Sequence, residues 1–338
     1  MSWLRQGRAG VGALLLVAAS AQADYRDHPR AAELARQLRS EHGFSEAELA
    51  LVRQALGQAQ QIPALIEAEQ KAAEKTETWT TYAAKRVDEP RIRRGAEFLA
   101  EHRGWLAQAE REYGVPPAVI AGVLGLETNF GRITGKARVL DALATQGFEH
   151  PTRSAFFFSE LVAFFAWCRD GGREPTAALG SYAGAMGWAQ FMPSNYRRLA
   201  VDFDGDGQRD LWSAADAIGS IARYFNDYDP ARRWQRGLPL AVPASLTRSL
   251  PATLPRNQPR ATHSVGELQA LGIQPATELP ASLRAGLIEL QTDQGPEYWV
   301  GLANFYSVMS YNPRVYYAMT VTQLAQAMAA RDAEAAAP

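Results

Sequence analysis

Glu127 is the first residue to explain. It is the only charged side chain between Tyr113 and Arg132, and it follows a run of apolar residues from Val119 to Leu126. An ionised carboxylate beside apolar packing is costly, so its pKa should rise. If the run is a helix, Glu127 stands at the C-terminal end. That is the wrong pole for a negative charge and pushes the pKa the same way. A carboxyl group still protonated near neutral pH is what a general acid needs to protonate a glycosidic oxygen. A buried glutamate held by neighbouring donors fits these residues equally well, because structural networks also perturb carboxylates.

A second constellation is Asp202-Phe203-Asp204-Gly205-Asp206-Gly207-Gln208-Arg209-Asp210. Asp202, Asp204 and Asp206 fall at positions 1, 3 and 5 of an EF-hand loop. Gly207 makes the turn at position 6, and Gln208 can offer a backbone carbonyl at position 7. Alternating carboxylates concentrate negative charge that a hard cation such as Ca²⁺ would favour. Position 12 is Ser213, which cannot be the bidentate ligand. Asp216 can close a longer loop, yet Ser213-Ala214-Ala215-Asp216 is also a capping box for a following helix.

The elements that position these groups are mostly helical. Leu99, His102, Leu106, Ala109 and Tyr113 share one helix face. Gly114 supplies a stop, and Pro116-Pro117 suit the start of the next helix. Ala118 to Thr128 is apolar on most sides and should be buried. Ser154 can cap a helix through Phe157, Leu161 and Phe164 that stops at Gly171-Gly172. Phe156, Phe157, Phe158, Phe164 and Phe165 are assigned to the core. The lone cysteine, Cys168, sits in an apolar run and reads as a small core residue. A further helix fits Ser213 to Tyr228.

The texture changes near Gly237. Seven prolines between Leu238 and Pro280 exclude helices of normal length. Leu287–Gln291 and Tyr298–Val300 read as strands. The organisation expected is therefore a signal peptide at 1–23, a helical region at 24–237, a small partly β subdomain at 238–300, a helical return at 301–330 and a frayed tail at 331–338. The signal peptide rests on Arg5 and Arg8, the apolar run 9–19 and the small-x-small site Ala21-Gln22-Ala23. Its removal would take the formal charge from −1 to −3, with 35 basic and 36 acidic residues in the whole chain. That balance shows no footprint for nucleic acid. No transmembrane segment is expected in the mature form, and the site of action is expected to be periplasmic.

Three blocks bear on function. Glu127-Thr128-Asn129-Phe130-Gly131-Arg132 resembles the catalytic signature of the lytic transglycosylases, with Thr128 in place of the usual serine. Ser181 to Ser194 resembles their Gly-rich second motif. Tyr311-Asn312-Pro313-Arg314-Val315-Tyr316-Tyr317-Ala318 is similar to the third. Their order and detail, over residues 75 to 328, resemble the lytic murein transglycosylase B family. The resemblance implies a mainly α (α+β) chain with a lysozyme-like core. It implies Glu127 as catalytic acid and base on peptidoglycan glycan strands, with 1,6-anhydro ends as product. It implies saccharide contacts from Tyr82, Arg153, Ser181, Gln190, Phe191, Tyr224, Tyr311, Asn312 and Tyr317. It also favours Asp216 as the late ligand, joining Asp202, Asp204, Asp206 and Gln208 around a structural Ca²⁺. No cofactor for the chemistry is implied, and a monomer is expected. Competing readings are a hydrolytic muramidase and a non-catalytic wall-binding protein.

Overall fold

Helix starts and stops follow local chemistry. The computed structural model describes residues 24–65 and 77–336, so the expected signal peptide lies outside the described residues. Helices α1 (Ala31–His42) and α2 (Glu46–Gln58) are separated by Gly43 in the left-handed region and by a Ser45–Glu48 capping box. Helices α3 (Trp79–Ala84), α4 (Glu89–Glu101) and α5 (Arg103–Tyr113) follow. The spacing from Leu99 to Tyr113 predicts one helix, but the chain breaks at His102, where φ is −105° and ψ is 22°. The His102 ring packs on Phe98 with centroids 4.4 Å apart.

Pro116 precedes and Pro117 opens α6 (Pro117–Thr128), which is buried along nearly its whole length. Helix α7 (Val139–Glu149) packs on α8 (Ser154–Asp170). Arg153, not Ser154, is the cap of α8, and no side chain caps it. Phe157, Phe158, Phe164 and Phe165 are buried as expected, and so is Cys168. Phe156 is not: it stands 41% exposed, because the turn of the helix carries it away from the face that Phe157 buries.

A short helix, α9 (Pro193–Leu199), and a longer one, α10 (Ala214–Asp227), carry the chain to the sheet. A two-residue antiparallel ladder of β1 (Ala137–Arg138) with β2 (Leu179–Gly180) ties the loop after α6 to the Gly-rich motif. The larger sheet contains β3 (Ala241–Leu246), β4 (His263–Ser264), β5 (Ile273–Pro275), β6 (Arg284–Thr292) and β7 (Gly295–Gly301). Its order is β4-β6-β7-β3-β5 and its pairings are antiparallel. One short helix, α11 (Val265–Ala270), packs with it, and Val242, Val265, Leu268, Leu287 and Val300 form a small separate core.

Helices α12 (Ala303–Tyr311) and α13 (Val315–Ala336) return to the main core, where α13 packs against α4 and α6. The tail expected to fray from Arg331 is helical through Ala336. Arg331 pairs with Glu89, and Arg103 pairs with Asp332 at 3.1 Å, so the last turns are fastened to α4 and α5. Among the described residues no helix is long and apolar enough to cross a membrane.

Candidate active site

The last turn of α6 carries Glu127, and the chain beyond it turns sharply. Asn129, Phe130 and Gly131 have φ of 51°, 60° and 79°. Two non-glycine residues in the left-handed region store strain that neighbours must hold. Thr128 Oγ1 donates to the Trp188 carbonyl at 3.1 Å and accepts from Gly131 N at 3.0 Å. Arg94 Nε donates to Asn129 Oδ1 at 3.0 Å. A methyl group on Gly131 would lie 2.1 Å from Trp188 Cε2. Gly131→Ala is therefore expected to destabilise by about 2 kcal/mol or more, from clash and backbone strain together. Thermal denaturation checks this, and an unchanged melting temperature would contradict the fit.

Glu127 keeps partial solvent contact. Burial raises its pKa to about 7, against the Tyr317 hydroxyl, which donates to Oε1 at 2.6 Å and favours the anion. Among the described residues no other carboxylate contributes to this shift. The nearest acids downstream in sequence are tied to the N-terminal segment. Asp141 pairs with Arg138 at 2.7 Å and accepts from Gln60 N at 2.9 Å. Glu149 accepts from the Tyr25 hydroxyl at 2.5 Å.

Phe191, Tyr224 and Tyr311 come together as one aromatic cluster. Centroids are 4.6 Å apart for Tyr224–Tyr311, 5.6 Å for Phe191–Tyr224 and 6.0 Å for Phe191–Tyr311. Tyr228 stacks on Tyr224 at 4.3 Å. Tyr224 donates to the Ser310 carbonyl at 2.7 Å, and Tyr311 donates to the Ala189 carbonyl. Burial, and then the charge of Glu127, pushes the Tyr311 and Tyr317 hydroxyls far above their usual range, so both stay protonated donors.

The polar residues of the Gly-rich motif hold their own loop. Ser181 Oγ accepts from Ala183 N at 3.2 Å and Ala185 N at 3.1 Å. Gln190, at φ 50°, donates its side-chain amide to the Gly187 carbonyl at 2.8 Å and the Thr134 carbonyl at 3.1 Å. It thereby joins the motif to the turn after Glu127. Asn312 ends α12, and its side-chain amide makes no hydrogen bond among the described residues. Tyr82 lies in a different group, 6.1 Å from Trp79 and 5.3 Å from Tyr316, with the Arg86 guanidinium 3.7 Å above its ring. Tyr316, the neighbour of Tyr317, links it to the site. Arg153 is exposed at the start of α8, 4.9 Å from the Phe157 ring centroid. Sequence reading missed Arg94, and it gave Trp188, inside the Gly-rich motif, no role of its own. A strained Asn129 demands a partner, but nothing in the sequence selects one 35 residues away.

In the acidic loop, Asp202, Asp204 and Asp216 place carboxylate oxygens within 4.8 Å of one another. Asp202 accepts from the backbone of Gly205, Asp206 and Gly207 at 2.8 to 3.0 Å. Asp216 is 1% exposed and accepts from Phe203 N and Asp210 N, each at 2.6 Å. Ser213 makes no side-chain cap bond, so the capping box does not form and Asp216 faces the loop. Burial pushes the Asp216 carboxyl up, and Asp204 and Asp202 add to the rise. Three facing oxygen donors of one sign suit a hard divalent cation. Asp206 lies outside this group and accepts from Gln208 N at 2.7 Å, and Gln208 itself is exposed.

Fold and site define a class, the lysozyme-like helical enzymes with a largely desolvated glutamate ending a core helix. Comparison with known proteins narrows it. The family model described as the transglycosylase SLT domain matches residues 26–326, reaching further towards the N-terminus than the motifs alone. The membrane-bound lytic murein transglycosylase B of Escherichia coli (strain K12) is 37% identical over 316 residues, 90% of this chain and 84% of that protein. The Escherichia coli lytic transglycosylase Slt35, solved in complex with calcium, is 36% identical with a TM-score of 0.81, covering 93% of this chain and 97% of that one. SltB3 from Pseudomonas aeruginosa, solved in complex with NAG-anhNAM-pentapeptide, is 30% identical with a TM-score of 0.73, covering 88% of this chain and 78% of that one. The chain belongs to the transglycosylase SLT family, among its lytic transglycosylases of the B type.

Proposed function

We propose that this protein cleaves the bond between N-acetylmuramic acid and N-acetylglucosamine in peptidoglycan by intramolecular transfer, with Glu127 as its one acid and base. The observation that carries the proposal is the Glu127 carboxyl, raised to about 7 and hydrogen-bonded, among the described residues, by the Tyr317 hydroxyl. Glycosidases ordinarily use two carboxylates, and one suffices where the substrate's acetamido group supplies the nucleophile. Glu127 gives its proton to the glycosidic oxygen as the bond to the muramic C1 breaks. The acetamido oxygen bonds to C1. Glu127, now a carboxylate, takes the proton of the C6 hydroxyl, whose oxygen displaces the acetamido oxygen at C1 and closes a 1,6-anhydro ring. No water is consumed.

Each surrounding residue has a part in this scheme. Tyr317 fixes one carboxylate oxygen and stabilises the anion between the two proton transfers. Asn312 has an unused amide to offer the acetamido group. Tyr311, half-buried, offers aromatic surface to a sugar ring, and the buried Phe191 and Tyr224 hold it in place from behind. Ser181 and Gln190 keep their loops in register with the acid. Asp202, Asp204 and Asp216 would hold a Ca²⁺ that braces the loop between the Gly-rich motif and α10. Export to the periplasm follows from the reading of residues 1–23.

Purified sacculi incubated with the protein should release soluble muropeptide, and sacculi left intact near pH 6 would overturn the proposal. The release should fall as pH rises through about 7, because only protonated Glu127 can start the reaction. Tyr317→Phe removes a donor that favours the anion. Its alkaline limb should move to higher pH, and its maximal rate should drop about tenfold or more. A limb that stays in place would contradict the role given to Tyr317.

A further inference from the structure

An open cavity of about 760 Å³ lies between the end of α1, the length of α8, helix α9 and residues 207–209 of the acidic loop. Neither Glu127 nor any of the expected saccharide contacts lines it. Four arginines, Arg173, Arg197, Arg198 and Arg209, face it with only two carboxylates, Glu41 and Asp170. In a chain whose formal net charge is −1, this is a local excess of positive charge. Arg197 is partly offset by Asp170, at 3.1 Å. Arg173 and Arg198 have no carboxylate partner among the described residues. Their guanidinium carbons lie instead over aromatic rings, 4.4 Å from the Trp167 centroid and 5.1 Å from that of Tyr228. Stacking of this kind holds the planar fork in place with its N–H groups undirected at any acid.

We propose that this cavity is an accessory site for a short peptide carrying two or more carboxylates. Its volume is in the range of sites that enclose small ligands, roughly 300–1,000 Å³. Arginine forks pair with carboxylates in bidentate fashion. Val162 and Ala163 line the same cavity and give the ligand an apolar wall, which favours a peptide over a bare inorganic anion. The peptide stems of the wall polymer have this chemistry, so the assignment of source rests on the peptidoglycan reading above.

The test uses the full chain carrying Glu127→Gln, so that cleavage cannot intrude, and isothermal titration calorimetry. The probe is a sugar-free tetrapeptide with three free carboxylates, and inorganic phosphate is titrated in parallel. Saturable peptide binding is expected, weakened roughly tenfold by Arg173→Gln with Arg198→Gln and weakened by added salt. The pair Arg173→Lys with Arg198→Lys keeps the charge without the fork and should lose less. It serves as the second arm if the glutamine pair fails to fold. Absence of saturable peptide binding would overturn the proposal. So would binding untouched by both pairs, displacement by a peptide-free chitooligosaccharide, or saturation by phosphate without saturation by peptide. Glycan cleavage is not read in this experiment, so its outcome is separate from that of the proposed activity.

Discussion

Glu127→Gln is expected to lower the release of soluble muropeptide by about 10²- to 10⁴-fold, the range over which a positioned acid or base contributes. The upper part of that range applies here, because one residue performs both proton transfers. The same substitution should stabilise the fold at neutral and alkaline pH. The folded pKa of Glu127, about 7, stands above its ordinary value of 4.5. The unfolded chain therefore loses its proton first as pH rises. Ionisable Glu127 costs nothing below about pH 4.5, costs progressively more up to about pH 7, and costs a constant amount above that. The full cost is on the order of 3 kcal/mol. Glutamine has no charge to bury, so the variant should melt higher than the wild type at pH 8 and no higher at pH 4. Loss of activity with a lower melting temperature at pH 8 would show structural damage in place of a missing acid.

The second large effect concerns the acidic loop. Calcium at a hundredfold excess over its Kd should stabilise the protein by about 2.7 kcal/mol, a shift of several degrees in Tm, and chelation should remove that gain. Asp216→Asn keeps an oxygen for one of the two backbone N–H groups that Asp216 now satisfies, and it relieves the repulsion from Asp202 and Asp204. The variant should therefore fold without calcium and answer its addition with little or no rise in Tm. A wild-type Tm indifferent to chelation would remove the structural role of the metal. A variant that responds as the wild type does would remove Asp216 from the ligands.

What the sequence made legible was chemistry carried by close neighbours in the chain. Glu127 stood out because nothing else between Tyr113 and Arg132 is charged, and the acidic loop because its carboxylates alternate. Pro117 and Gly171 marked helix ends for reasons that act within a turn. The less legible features depend on distant partners. Arg94 reaches Asn129 across 35 residues, and Tyr317 reaches Glu127 across 190. The motif resemblance named Tyr317 but could not say that its hydroxyl bonds the acid. Ser181 and Gln190 were expected as saccharide contacts, and their polar atoms also hold loop backbone, a use that spacing cannot reveal. The tail shows the same limit, since composition alone predicts fraying and ion pairs to α4 and α5 keep it helical.

Mass spectrometry of sacculi digested to completion tests the central claim most directly. Intramolecular transfer leaves muramic ends lighter by one water than hydrolysis would. Anhydro ends on the released muropeptides, with no ¹⁸O taken up from labelled water, are the expected result. Hydrated reducing ends carrying ¹⁸O would contradict the single-residue transfer and make Glu127 the acid of a muramidase instead.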